Sequence, residues 1–326
     1  MSCYIIAEAG SNHDCDINVA KQLIDVAKSA NCDGVKFQIF SADTLYSSKV
    51  EDFDKYQNVY SLIKNLEVSF DFFKELKLYC DEVRIDFLAT PFSEEAVDLL
   101  VDMNVKLIKL ASFEFTDRRL VEYIRKTNKP LVASTGLCSK QDIYDFLQWT
   151  EGLDVTLLHC NSAYPTPDED MNLNYINLLK TFGSNSFKVG LSDHSMGILA
   201  PSLAVSMGAS VIEKHFTLSR NRKGPDHPFA IEPNELNEMV KLIKTTEKML
   251  GKNDFTRTQS ESSMSYARRS VICCKNIKKG EVLTYENITT KRPGNGIPAS
   301  KYYDIIGKKS KIDLQEDHIL QWGEII

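Results

Sequence analysis

Residues 86–110 read DFLATPFSEEAVDLLVDMNVKLIKL, and this stretch decides the fold class. The run Asp86–Thr90 is mostly apolar and stops at Pro91. Ser93 then marks a helix start before EEAVDLL, and a second apolar run, VKLIKL, opens at Val105. Strand, helix and strand within one short stretch make a βα unit leading into the next strand. Strands that are almost continuously apolar suit a parallel sheet covered on both faces.

The same alternation extends to both sides. YIIAE from Tyr4 precedes a helix whose stripe is Val19, Leu23, Ala27 and Ala30, and GVKFQIF from Gly34 precedes a helix signal over Asp71–Tyr79 with Phe73 and Leu76. Further strands are expected at PLVAS from Pro130, VTLLHC from Val155, FKVGLS from Phe187 and SVIEKHF from Ser210. Asp117 before RRLVEYI, and Ser139 with Asp142, mark two more helix starts; the last helix begins at Pro233 and stops at Gly251. Eight βα units over ~250 residues predict an α/β chain built as a (β/α)₈ TIM barrel, with an open doubly wound sheet as the runner-up. The expected division is a barrel over 1–250, a polar linker over 251–265, and a small mostly-β domain over 266–326 with β-like runs SVICC, GEVLT and KSKIDL.

Composition excludes other classes. The chain has 326 residues, 43% hydrophobic and 26% charged, with 39 Lys and Arg against 45 Asp and Glu for a net charge of −6. There is no basic excess to bind nucleic acid or an anionic membrane. No stretch approaches the ~20 apolar residues of a membrane span, and the first residues lack the pattern of a signal peptide, so a cytoplasmic location is expected. Eight cysteines occur without a C-x-x-C pair, which suits buried free thiols.

In a barrel, catalytic groups gather at the C-terminal ends of the strands. Those ends carry Glu8, Lys36, Gln38, Thr90, Lys109, Ser112, Ser134, His159, Ser192, His194 and His215. A satisfied core polar group is the ordinary reading of any one of them, and a buried ion pair explains Glu8 with one lysine. Two lysines with the hydroxyls of Ser112, Ser134 and Ser192 suit an anion, phosphate or carboxylate. His194 and His215, at the ends of neighbouring strands, fit either one divalent cation of the Mn²⁺ kind or ordinary core histidines. Asp193 and Glu213 flank the pair and are expected to orient the imidazoles.

The motifs AEAGSNH from Ala7, VKFQ from Val35, ATPF from Ala89, STG from Ser134, HCNSAYPTP from His159, GLSDHSMG from Gly190, EKHF from Glu213 and GPDH from Gly224 together resemble the sialic acid (N-acetylneuraminate) synthases. KRPGNGI from Lys291 resembles the family's C-terminal β-clip, or SAF, domain related to type III antifreeze proteins. The resemblance implies condensation of phosphoenolpyruvate with an N-acetylhexosamine such as N-acetylmannosamine, giving a nine-carbon keto sugar acid and phosphate. By it, Lys36, Thr90, Lys109, Ser112, Ser134 and Ser192 would hold phosphoenolpyruvate, with Asn161 and Ser162 as candidates where relatives carry Thr and Asn. Gln38, Tyr164 and Asp226 would hold the sugar, His194 and His215 the metal (Mn²⁺, with Mg²⁺ or Co²⁺ as alternatives), and Glu8 would be the acid/base. The resemblance also implies a domain-swapped homodimer in which Arg292 reaches the N-acyl group of the partner's sugar. The segment 43–67 is expected to cover the sugar. N-acetylneuraminate is the default product, with legionaminate, pseudaminate or a spore-coat sugar acid as alternatives. A Schiff-base aldolase using Lys109 or Lys214 is the rival enzyme, and an ice- or carbohydrate-binding protein the rival from another class.

Overall fold

The structure is a computed structural model that describes residues 2–47, 49–50, 58–183 and 187–326. Part of the segment expected to cover the sugar, residues 48 and 51–57, lies outside the described residues. The chain divides into two compact units, Met1–Gly251 and Lys252–Ile326.

The first unit holds eight strands: β1 (Tyr4–Gly10), β2 (Gly34–Ile39), β3 (Asp86–Pro91), β4 (Ile108–Leu110), β5 (Leu131–Ser134), β6 (Val155–Cys160), β7 (Lys188–Asp193) and β8 (Val211–His215). They form one parallel sheet in the order β3-β2-β1-β8-β7-β6-β5-β4, and β3 packs beside β4, so the sheet nearly closes into a barrel. Helices alternate with the strands around the outside. The sequence signals at Ser93, Asp117 and Ser139 mark true starts, each side chain accepting a backbone N–H of the first turn, as Asp16, not singled out in the sequence, also does; Pro233 opens the helix Pro233–Leu250. Each such cap is worth about 1 kcal/mol.

Strand alternation separates two interiors. One set of side chains, with Ile5, Ala7, Val35, Phe37, Phe87 and Leu157 among them, packs against the helices in the large core. The other points into the barrel, where Ile6, Leu88, Val132, Leu158 and Val211 form a small apolar cluster. At Gly190 an added Cβ would stand 2.2 Å from the Val211 carbonyl oxygen, so only glycine allows this close approach of β7 to β8.

In the second unit β9 (Ser270–Cys273) pairs antiparallel with β10 (Ile288–Lys291) around a core of Val271, Ile277, Leu283, Ile288, Ile305 and Leu314. The runs GEVLT and KSKIDL, expected as β-like, contribute single bridges at Val282–Lys309 and Ile277–Leu314 instead of continuous ladders. Within the polar stretch 251–265, Thr258 and Glu261 form a capping box on a one-turn helix, Gln259–Ser262. The T-x-x-E spacing carries that signal. No described helix is long and apolar enough to cross a membrane.

Candidate active site

The apolar layer inside the barrel generates the polar one above it. Two residues on from Ile6, Leu88, Val132, Leu158 and Val211, hence on the same face of each strand, stand Glu8, Thr90, Ser134, Cys160 and Glu213. Strand register sets their neighbours. Glu8 is level with Lys36 on one side and His215 on the other, Gln38 is level with Thr90, and Ser192 is level with both Cys160 and Glu213.

Eleven residues singled out from the sequence line one cavity at this end: Glu8, Lys36, Gln38, Thr90, Lys109, Ser112, Ser134, Tyr164, Ser192, His194 and His215. Lys36 Nζ lies 2.8 Å from Glu8 Oε2 and donates to Thr90 Oγ1 at 2.9 Å. Lys109 Nζ donates to Ser134 Oγ at 2.7 Å. Gln38 Nε2 donates to Glu8 Oε1 at 2.9 Å.

Glu213 lies within the cluster, in contrast to its expected place beside the histidines. Its carboxylate stands 3.7 Å from Lys36 and 3.6 Å from Lys109 and accepts Ser192 Oγ at 2.9 Å. Its alternation with His215 along SVIEKHF is the signal that could have found it. The expected role of Asp193 also fails. Asp193 faces the opposite way, accepting the backbone N–H and the hydroxyl of Ser195 and pairing with Lys214 at 2.7 Å. A one-residue step along a strand reverses the face, so Glu213 and His215 share one side and Lys214 takes the other.

The two carboxyls are driven apart. Burial raises the Glu8 carboxyl above the ordinary range despite the pull of Lys36. Burial would also raise Glu213, but Lys109 and Lys36 outweigh it and hold Glu213 below its usual value. One carboxyl raised to about 7 next to one held below its usual value is the arrangement that assigns acid/base roles. When Glu8 takes a proton, two ammonium groups face one carboxylate, an excess of positive charge suited to an anion.

His194 and His215 stand with ring centroids 5.2 Å apart. His194 Nδ1 donates to the Asn161 carbonyl at 2.7 Å, which leaves the Nε2 lone pair free. Buried His215 Nδ1 has no hydrogen-bond partner, and burial holds this imidazole well below its ordinary pKa and therefore neutral. The free Nε2 of His194 and the unpartnered Nδ1 of His215 fit a divalent cation. Among the described residues no group of three or more His, Cys, Asp or Glu could hold a metal. Two imidazoles alone would leave most of a coordination shell to oxygens of substrate or water.

The remaining residues divide. Asp226, whose carboxyl burial raises, approaches His215 Nδ1 to 3.6 Å, and the Tyr164 ring packs on His194 at 4.2 Å. Ser162 Oγ is buried without a partner next to Ser112: a Cβ added to Gly136 would come 2.2 Å from Ser162 Oγ and 2.7 Å from Ser112 Oγ. The Asn161 side chain is engaged in its own loop, with Ala163 N and the Asp170 carbonyl. Asn161 serves the site through its backbone carbonyl. His159 is bonded to the Met171 carbonyl at 2.6 Å in a neighbouring cavity. Arg292 belongs to the second unit, exposed just after β10.

A profile of the NeuB family matches residues 23–255, and a SAF domain profile matches 268–326. The chain belongs to the NeuB family. An uncharacterized protein of Methanocaldococcus jannaschii is 43% identical to this NeuB chain over 327 residues, covering 99% of the chain and 94% of that protein. The N,N'-diacetyllegionaminic acid synthase of Campylobacter jejuni is 38% identical, covering 97% and 98%. The crystal structure of the N-acetylneuraminic acid synthetase of Leptospira borgpetersenii is 33% identical, with a TM-score of 0.74 over 81% of this chain and 90% of that one. Two of these three relatives of the NeuB chain are thus named as synthases of nonulosonic acids.

Proposed function

We propose that this chain joins phosphoenolpyruvate to an N-acylated hexosamine, giving a nine-carbon nonulosonic acid and inorganic phosphate by C–O cleavage. The observation that carries the proposal is the pair Lys36 and Lys109 set around the Glu213 carboxyl at 3.7 and 3.6 Å, next to Glu8 at 2.8 Å from Lys36. Lys36, Thr90, Lys109, Ser112, Ser134 and Ser192 hold the enol phosphate, with Ser162 at the edge of the same group. Entry of a phosphate or carboxylate gives each ammonium a stronger partner than the carboxylate it already faces. Gln38, Tyr164 and Asp226 hold the sugar.

His194 and His215 would hold a divalent cation, Mn²⁺ with Mg²⁺ or Co²⁺ as alternatives, which when bound polarises the sugar aldehyde oxygen. C3 of the enol phosphate attacks the aldehyde carbon, and the aldehyde oxygen takes a proton. Water adds at C2 and loses a proton, and the tetrahedral adduct expels phosphate, which carries off the C2 hydroxyl proton, to leave the keto acid. Glu8, its carboxyl raised to about 7 by burial and beside Lys36, is the group that gives and recovers a proton across these steps. The lysines stabilise the phosphate as its charge grows.

N-acetylmannosamine is the default sugar. The 38% identity to an N,N'-diacetyllegionaminic acid synthase supports a 2,4-diacetamido-trideoxyhexose as the second reading. A domain-swapped homodimer, with Arg292 delivered from one chain to the N-acyl group held by another, belongs to the same proposal, as does a cytoplasmic location.

The test is phosphate release from phosphoenolpyruvate with each sugar, with Mn²⁺ and with a chelator, and mass spectrometry of the product. Metal-dependent release with a nine-carbon keto acid from either sugar supports the proposal and names the substrate. Absence of turnover with both overturns it and returns the aldolase and binding-protein readings.

A further inference from the structure

Asp226 lies on the long loop that follows β8, and this loop is tied to the loop that follows β1. His227 is fully buried, and both its ring nitrogens are engaged: Nδ1 with Thr217 Oγ1 at 2.7 Å and Nε2 with Asp14 Oδ1 at 3.0 Å. The other Asp14 oxygen pairs with Arg222 at 2.6 Å. Asn12 Nδ2 donates to the Phe216 carbonyl at 2.9 Å, adding a second tie between the same two loops. Beyond Asp226, Phe229 packs on His215 at 5.1 Å and on Tyr164 at 5.5 Å.

Forming these ties costs backbone strain. Asp14 and Cys15 adopt φ of +50° and +57°, consecutive left-handed conformations in residues that have a side chain. Such strain persists only where the surroundings impose it, and it clusters at functional sites. Here the turn directs the Asp14 carboxylate at His227. A buried imidazole held on both nitrogens has one orientation, and the adjacent residue inherits it. Asp226 therefore lies against the bare backbone of Gly10 (φ +53°), where an added Cβ would stand 2.9 Å from Asp226 Oδ2 and 3.4 Å from Glu8 Oε1.

We propose that Asp14 and His227 are positioning residues: their buried contact clasps the β1 loop to the β8 loop, sets the Asp226 carboxylate, and through it governs affinity for the hexosamine but not for phosphoenolpyruvate. The proposal rests on the reading of Asp226 as a sugar-binding group. Phosphoenolpyruvate is held by β2 to β7, which the clasp does not touch.

The test uses the full-length chain as wild type, Asp14→Ala, His227→Phe and the conservative Asp14→Asn. Hydrogen exchange is followed in residues 218–230, with β8 as the internal control, and KM is measured for each substrate. The expected result is faster exchange in 218–230 with β8 unchanged. KM for the hexosamine should rise about 10-fold or more in Asp14→Ala and His227→Phe, with KM for phosphoenolpyruvate within about 2-fold. Asp14→Asn, which keeps an acceptor for His227, should recover most of the loss. Unchanged loop exchange, a parallel rise in both KM values, or failure of Asp14→Asn to recover affinity would each overturn the clasp. If the wild type turns over no N-acylated hexosamine, the function reading fails, while the exchange measurement still decides whether the clasp holds the loop.

Discussion

Glu8 Oε2 lies 2.8 Å from Lys36 Nζ at a place where the Glu8 side chain has no exposure and that of Lys36 only 3%. The pair nevertheless does not hold Glu8 at an ordinary carboxylate value: desolvation exceeds the attraction of a lysine that is shared with Glu213 and lifts the carboxyl to about 7. An incoming anion that draws Lys36 away removes an attraction that lowers this carboxyl, so Glu8 holds its proton more firmly until the reacting oxygen takes it.

Glu8→Gln keeps the shape and the hydrogen bond from Gln38 while removing the proton. Turnover should fall by about 10²-fold or more, with KM for phosphoenolpyruvate little changed. The sign of the stability effect follows from the raised carboxyl. Wild type holds this contribution in full below the ordinary glutamate value of about 4.3 and loses it as pH rises through the folded-state value, so Glu8→Gln should be the flatter of the two in a Tm-against-pH series. An unchanged slope would show that Glu8 is ionised in the folded protein.

Lys109→Met removes one of the two cations facing Glu213. Breaking a buried pair from one side costs about 3–5 kcal/mol, so a lower urea midpoint is expected along with a raised KM for phosphoenolpyruvate. Adding Glu213→Gln should restore much of the stability and none of the activity. Equal stability of the single and double variants would contradict the arrangement.

Gly136→Ala puts a methyl group where Ser112 Oγ and Ser162 Oγ converge. KM for phosphoenolpyruvate should rise about 10-fold, and Ser162→Ala in the same chain should relieve part of the rise by vacating the nearer contact.

Removal of metal by chelation should abolish turnover without unfolding, since His215 ends β8 and His194 directly follows β7, two strands already paired in the sheet. Calorimetric titration with Mn²⁺ should show one site in the wild type and its loss in His194→Ala and in His215→Ala. Retained turnover after exhaustive chelation would remove the metal from the mechanism.

Borohydride with pyruvate should leave no adduct on Lys214, whose ammonium is bonded to Asp193 on the outer face of β8. A trapped adduct on Lys109 would instead favour aldolase chemistry.

Much of the first unit was legible along the chain. Runs such as VTLLHC and the caps at Ser93 and Ser139 are local signals, set by strand alternation and by the unpaired N–H groups of a helix start. Strand-end polarity likewise marked Glu8, Lys36, Lys109, His194 and His215, because a charge in an apolar strand is costly wherever that strand lies. The second unit was read less well: its bridges at Val282 and Ile277 pair residues far along the chain and leave little periodicity to detect.

Sequence alone thus determined the order of strands and helices and which residues end at the barrel mouth, since both depend on neighbours within a few positions. Only the tertiary structure decided that Glu213 sits between two lysines, that Asp193 turns away to hold Lys214, that Asn161 acts through its carbonyl, and that Asp14 meets His227 across 213 positions of chain. Those contacts exist because closing a sheet brings strand ends from distant parts of the chain to one ring, where burial forces each charge to find a partner that no local pattern names.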